Sequence, residues 1–273
     1  MPRRVSRRRS EVEREPNRRA SLRLAQLVPN LLTLGALCAG LSAIRFAADG
    51  APVLAVAMIA LAAALDGLDG TMARLLKSES AIGAELDSLA DFLNFGAAPA
   101  MVLYLWVLQD GPSGGWIAAL IYAICCAMRL ARFNVGDRSG APKSPWFQGV
   151  PAPGGALLAL LPMVLVQISP ALPAAFVQPF TGIWLVVIGL LMISRITTPS
   201  VKLLRISRDK APFALVAVMA LITAGFTWPW SVLFCGQLAY IALLLRCVLR
   251  PFPVSPCHDD MTKRDSDSSN INK

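Results

Sequence analysis

The chain has 273 residues, of which 55% are apolar and only 16% charged, with a formal net charge of +9. That balance excludes an ordinary water-soluble globular domain, in which about a quarter of the residues are charged. The charge is also gathered at the ends: Arg3, Arg4, Arg7, Arg8, Arg9, Arg14, Arg18, Arg19 and Arg23 crowd the start, residues 251–273 are polar and mixed in sign, and long apolar runs lie between.

The arginine-rich start does not read as a secretory leader, because the apolar run after it is too long and no small-residue cleavage site precedes a soluble domain. Nor does it call for nucleic acid. Basic residues beside a first membrane helix hold that end in the cytoplasm and contact anionic lipid, so no nucleic-acid partner is expected. Apolar segments follow at 29–47, 51–75, 82–108, 115–135, 152–169, 181–196, 212–227 and 230–249. Several are long enough to cross a hydrocarbon core of ~30 Å. Turn signals separate them at Asp49-Gly50, Gly111 to Gly115, Pro170 to Pro179, and Trp228-Pro229-Trp230. Pro99 and Pro162 fall inside the third and fifth segments, where a helix bundle can absorb a kink.

The predicted architecture is an all-α polytopic membrane bundle of about eight helices. Residues 28–250 form the membrane domain, between a basic tail over 1–27 and a polar tail over 251–273. Lysines and arginines test the count. With the N-terminus in the cytoplasm, one side receives the N-terminal arginines, then Arg74, Lys77, Arg129, Arg132, Arg138, Lys143, Arg195, Lys202, Arg205, Arg208 and Lys210, then the C-terminal basic residues. Only Arg45 falls on the far side, which requires an even number of helices and both termini inside. This predicts a multi-pass protein of the cell (inner) membrane.

Five of the six cysteines lie in or at the ends of apolar segments, no C-x-x-C spacing occurs, and the lone His258 sits in the polar tail. Neither a disulfide framework nor a zinc site is expected. Chemistry must come from other residues. The second segment is almost pure alanine, leucine and valine until Asp66 and Asp69, and the third carries Glu85, Asp87 and Asp91 in its first turns. An ionised group in hydrocarbon costs several kilocalories, so each is a functional candidate by default. Helical spacing puts Asp66, Asp69, Gly70 and Ala73 on one face with Arg74 close by, and Gly83, Asp87 and Asp91 on one face of the next helix. Glu85 falls off that face, as an exposed residue or an outer neighbour. The short turn at Ser78 to Ser80 makes the two helices antiparallel neighbours, so four carboxylates converge near the cytoplasmic end. They need cations between them, and oxygen-only ligands point to Mg2+ or Mn2+, in one or two ions. The bland alternatives are a structural Asp–Arg74 pair and packing roles for Gly70 and Gly83.

Residues 66–91 read DGLDGTMARLLKSESAIGAELDSLAD. This resembles the CDP-alcohol phosphotransferase motif D-x2-D-G-x2-A-R-x8-G-x3-D-x3-D at every fixed position: Asp66, Asp69, Gly70, Ala73, Arg74, Gly83, Asp87 and Asp91. Within that family the chain is most similar to the bacterial phosphatidylserine synthases. The supporting segments are Val28 to Thr33, ELDSLADFLNFGAAPA at 85–100, RLARFNV at 129–135 and FQGVPAPGGA at 147–156. The last two carry most of the finer likeness, since the acidic motif is common to the family.

The resemblance implies that Asp66, Asp69, Asp87 and Asp91 hold a pair of divalent ions on the pyrophosphate of CDP-diacylglycerol. It makes Asp91 the general base as well. Gly70, Arg74, Ser80 and Gly83 would line the nucleotide and phosphate site, and Pro29, Asn30, Leu31 and Leu32 would help hold the CDP head. It also implies a six-helix catalytic core with two further helices, a homodimer and an acceptor of L-serine. For the carboxylate of that acceptor the best candidates are Arg129 and Arg132, with Asn134 nearby, although the two arginines share a face only roughly and would also serve as positive-inside anchors. Lys143, Phe147 and Gln148 could complete the pocket. The nearest rivals are transfer to glycerol 3-phosphate or to an inositol phosphate. A cation transporter is a rival from another class, but its acids should lie at the bilayer midplane in repeated halves. A membrane scaffold would not need so many buried acids.

Overall fold

The computed structural model describes residues 27–76, 80–111, 114–138, 146–194, 197–199, 219–221, 223–225 and 227–249. Six of its helices are long and apolar enough to cross a membrane. They are α1 (Leu27–Ala48), α2 (Pro52–Leu76), α3 (Ile82–Leu108), α4 (Gly114–Val135, continuing to Arg138), α6 (Ala174–Ile193) and α7 (Pro229–Leu249). Between α4 and α6 lies α5 (Ala152–Ile168), a shorter apolar helix in two halves. The expected segment at 212–227 falls mostly outside the described residues, where 219–221 and 223–225 are helical.

Inward faces follow the helical period. On α1 the buried positions are Ala36, Ala39, Ala43 and Ala47, and on α2 they are Ala55, Ile59, Ala62 and Asp69. On α4, Ala118, Tyr122, Cys125 and Arg129 form the buried stripe, and on α7 Gln237, Leu244 and Cys247 do so. Outward faces carry Leu34, Leu54, Leu61, Ile117, Ile124, Ile183, Leu190 and Leu245, all exposed. Such an apolar exterior suits lipid rather than water. Small residues let helices close up. A Cβ on Gly189 of α6 would sit 3.2 Å from the Tyr122 Cα on α4, so these two helices meet backbone to backbone.

The interior prolines show how the bundle keeps its backbone satisfied. Pro99 has no N–H for the carbonyl four residues earlier. That carbonyl, Phe95 O, instead accepts the buried Tyr122 hydroxyl at 2.8 Å. The neighbouring residues, Leu93–Ala97, relax into a π-turn, and a second π-turn, Tyr104–Leu108, ends α3. Pro162 strands Leu158 O in the same way, and Trp184 Nε1 of α6 donates to it at 2.7 Å. Gln237 Nε2 of α7 donates to Leu157 O at 2.8 Å. Helix α5 therefore breaks at Leu160, while donors from α6 and α7 cover its opened carbonyls.

Two expectations change. The helix predicted at 181–196 begins seven residues earlier, with Pro173 at its N-cap and Pro179 inside it. Pro179 had marked a turn; within a membrane bundle it is carried in the helix interior. Gln178, beside it, donates to Val107 O at 3.1 Å and covers the open end of α3. The fold is all-α as expected, but the loop expected after α4 is not plain loop. A short antiparallel pair joins β1 (Trp146–Gln148) to β2 (Thr197–Pro199), with Trp146 opposite Pro199. Phe147 and Gln148 thus have strand backbone rather than loop. This pair follows the C-terminal ends of α4 and α6, so it lies at the same end of the bundle as the start of α5.

Candidate active site

That end collects the acids. Helix α2 arrives there with Asp66 and Asp69 continuing its inward stripe, and α3 leaves from it. Ser80 caps α3, its hydroxyl oxygen accepting from Gly83 N at 3.0 Å. The cap fixes the start of α3 about two turns before Asp87, and Asp87 and Asp91 stack on the face that Phe95 and Val102 continue into the core.

Asp66, Asp69 and Asp87 can each bring one carboxylate oxygen within 4.8 Å of the others. Asp91 joins through Asp66, the two carboxyl groups facing each other closely across the α2–α3 interface. Asp69 is the most enclosed, 3% exposed. Its Oδ2 takes the Thr33 hydroxyl of α1 at 2.6 Å. Thr33 Oγ1 also lies 3.0 Å from Pro29 O, but a single hydroxyl proton goes to the closer, charged acceptor. Asp69 Oδ1 is buried with no hydrogen-bond partner. One oxygen oriented by α1 and the other buried without a partner, in a carboxylate whose neighbours are Asp66 and Asp87, suits a cation ligand. The all-oxygen donor set of Asp66, Asp69 and Asp87 could hold a hard divalent ion, with Asp91 alongside.

The bland pairing of an aspartate with Arg74 is not made among the described residues. Arg74 is exposed, with Nη2 3.4 Å from Thr71 Oγ1. The two glycines divide. Nothing lies within 4 Å of where a Gly70 Cβ would be, so Gly70 and Arg74 border open space. A Gly83 Cβ would sit 2.9 Å from both Asn30 Oδ1 and Ser80 Oγ, so Gly83 is a close-packing glycine. This contact brings Asn30, Ser80 and Gly83 together where α1 begins. Pro29 is buried there, Leu32 half-buried and Leu31 exposed. Glu85 is exposed.

On the other flank stands α4. Arg129 is buried, 9% exposed, and interacts electrostatically with Asp91. Arg132 is exposed and turned aside, with Nη1 donating to Ile193 O at the C-terminal end of α6 at 3.2 Å. There it caps a helix terminus whose dipole favours a cation. The two arginines are therefore not equivalent, as their poor spacing on one helix face suggests. Asn134 Nδ2 donates to Ser88 Oγ at 2.8 Å and ties α4 to the acidic face of α3. Lys143 lies outside the described residues, and for Phe147 and Gln148 only the backbone is described.

Sequence reasoning had no reason to single out Thr33, Ser88 or Tyr240. Thr33 stood in a quoted segment at a spacing that puts it one turn after Pro29, which was the available signal. Ser88 is next to Asp87, and Tyr240 is an isolated aromatic in an apolar run. A separate cleft of about 450 Å³ opens where α3 ends and α4 begins, lined by Leu108, Ile117, Ile121, Ile183 and Val187, with Gln178. Its walls hold no carboxylate, so the chemistry belongs to the acidic end.

Comparison with known proteins agrees with this geometry. Residues 26–194 match the family model described as CDP-alcohol phosphatidyltransferase. A CDP-diacylglycerol–serine O-phosphatidyltransferase of Mycobacterium leprae (strain TN) is 39% identical over 213 residues, covering 77% of this chain and 70% of its own. Proteins of the same description from Helicobacter pylori (strain J99) and Bacillus subtilis (strain 168) are similar as well. The first is 36% identical over 176 residues, 64% of this chain and 73% of its own. The second is 38% identical over 135 residues, 49% of this chain and 74% of its own.

Proposed function

The chain belongs to the CDP-alcohol phosphatidyltransferase family, and from that premise we propose that it transfers the phosphatidyl group of CDP-diacylglycerol to the hydroxyl of L-serine, releasing CMP. The observation that carries the reading is the joining of two features at one end of a membrane bundle. One is a carboxylate triad with oxygens within 4.8 Å, and the other is Asp91 bridging that triad to the buried Arg129.

Asp66, Asp69 and Asp87, with Asp91, would hold Mg2+ or Mn2+, as two ions. Such ions would supply charge neutralisation at the pyrophosphate and at the departing CMP oxygen. The residues of the chain do the rest. Asn30, Ser80 and Gly83, with Pro29, Leu31 and Leu32, frame the nucleotide where α1 and α3 begin. Gly70 leaves the backbone open to the diphosphate, and Arg74 supplies a charge-assisted hydrogen bond to a phosphate oxygen. The diacylglycerol tails leave sideways into the bilayer, as the apolar exterior allows.

Serine attacks with its hydroxyl. A bond forms between the serine oxygen and the phosphatidyl phosphorus, and the bond from that phosphorus to the CMP oxygen breaks. The hydroxyl proton passes to Asp91, which lies beyond Asp87 on the acceptor side. Asp91 then returns the proton to released CMP or to water. Arg129 pairs with the serine carboxylate, while Asn134 holds the α3–α4 contact through Ser88 and Arg132 braces α6. The protein works as a homodimer in the cell (inner) membrane with both termini in the cytoplasm. It has eight spans if α5 and the segment at 212–227 each cross.

An acceptor panel tests the assignment. The purified protein with CDP-diacylglycerol and Mn2+ is offered L-serine, glycerol 3-phosphate and an inositol phosphate, and the lipid product is identified. Phosphatidylserine as the dominant product supports the reading. Product only with one of the phosphorylated acceptors would overturn it.

A further inference from the structure

Helix α7 lies beyond the residues matched by the family model, yet one of its side chains reaches the acidic end of the bundle. Its inward stripe runs through Gln237, Leu244 and Cys247, with Tyr240 between them at helical spacing. The Tyr240 hydroxyl is buried and has no hydrogen-bond partner. It is seated on α5, where Gly154 leaves room for it: a Cβ at Gly154 would lie 2.6 Å from Tyr240 Oη.

Across from it is Arg129. That side chain is 9% exposed, its Nε is buried without a hydrogen-bond partner, and it interacts electrostatically with both Tyr240 and Asp91. Arg129 and Tyr240 are therefore neighbours that do not hydrogen-bond to each other. Two carbonyls opened by interior prolines, Phe95 O and Leu158 O, are each covered by a donor from another helix. Arg129 Nε and Tyr240 Oη stay uncovered beside Asp91, and each costs about 1–3 kcal/mol unless something accepts from it.

A small acceptor carrying negative charge satisfies both, because a guanidinium offers only donors and a phenol offers one. A carboxylate has two oxygens and meets both demands. Asp91 on the same flank takes the proton of the attacking hydroxyl, so the ligand carries a hydroxyl and a carboxylate a short distance apart. We propose that Tyr240 and Arg129 form the carboxylate-binding wall of the acceptor pocket, with Tyr240 the specificity-determining residue that α7 contributes. The proposal rests on the serine reading and gives it a physical basis. The two segments that carry the finer likeness, 129–135 and 147–156, meet through Tyr240: Arg129 comes from the first and Gly154 from the second.

The test is steady-state kinetics of Tyr240→Phe in the purified, full-length protein. The expected result is a KM for L-serine raised about tenfold or more by loss of a hydrogen bond to a charged group. The KM for CDP-diacylglycerol should remain at the wild-type value. Serinol, which keeps the hydroxyl and amine of serine but lacks its carboxylate, should inhibit both proteins equally. Gly154→Ala, which displaces the hydroxyl while leaving it in place chemically, should raise the serine KM in the same direction. A Tyr240→Phe protein with a serine KM within twofold of wild type would remove Tyr240 from the pocket. So would a serinol inhibition weakened as much as serine binding. A wild-type protein that ignores serine and uses a phosphorylated alcohol would overturn the serine reading itself, and this proposal with it.

Discussion

Replacing Thr33 by valine removes one hydroxyl and almost no volume. The consequence falls on Asp69, whose Oδ2 loses a 2.6 Å hydrogen bond while the side chain stays enclosed. A hydrogen bond to a charged group contributes about 1.5–3 kcal/mol. At about 1.4 kcal/mol per decade, the loss is roughly ten- to hundredfold in any equilibrium that depends on the Asp69 carboxylate being held in place. Groups that orient a metal ligand show the same range when removed, about ten- to hundredfold in metal affinity. The expected outcome is therefore a Mn2+ titration of activity shifted to higher concentration by that factor, with the rate largely recovered at saturating metal. Thr33→Ser, which keeps the donor, should titrate near wild type. Direct Mn2+ binding measured without substrate should shift by the same factor. If Thr33→Val binds Mn2+ within twofold of wild type while folding normally, then Thr33 does not orient Asp69 as a ligand, and the reading of its free Oδ1 loses its support.

Asp91→Asn keeps the size of the side chain and removes the proton acceptor, so kcat should fall by about 10²–10⁴. Mn2+ affinity should fall much less than in Asp87→Asn, since Asp91 stands beside the triad; full activity in Asp91→Asn would end its role as base. Tyr122→Phe strands Phe95 O, the carbonyl that Pro99 leaves open, and should cost about 1–3 kcal/mol of stability in detergent. Thermal denaturation checks that value, and both substrate KM values should be unchanged because Tyr122 lies in the core rather than at the acids.

Much of this structure was legible in the sequence because hydrocarbon demands a strong signal. Apolar runs long enough to cross a bilayer located α1 to α4 and α7 to within a few residues. The ionisable residues inside them, Asp66, Asp69, Asp87 and Asp91, marked the site by their cost alone. Periodicity also foretold that Asp87 and Asp91 share a face. What was not legible depended on partners from distant helices. Pro179 is a breaker by local rules, yet α6 runs through it. Arg129 and Arg132 look alike on one helix, but only the position of Ile193 O distinguishes the bracing residue from the buried one. Gly83 is packed against Asn30 of the distant α1 as well as its own cap residue Ser80, whereas Gly70 is open. Tyr240 and Gly154 are 86 residues apart in the numbering and meaningful only together.

The central claim is that the acidic end of the bundle moves a phosphatidyl group onto serine with the help of divalent cations. The most direct measurement is incorporation of radiolabelled L-serine into lipid by the purified protein with CDP-diacylglycerol, followed through chelation and re-addition of Mn2+. The account predicts phosphatidylserine and CMP in equal amounts, loss of both on chelation, recovery on re-addition, and neither from a variant with Asp66, Asp69 and Asp87 changed to asparagine. Serine incorporation that survives chelation, or that persists in that variant, would contradict it.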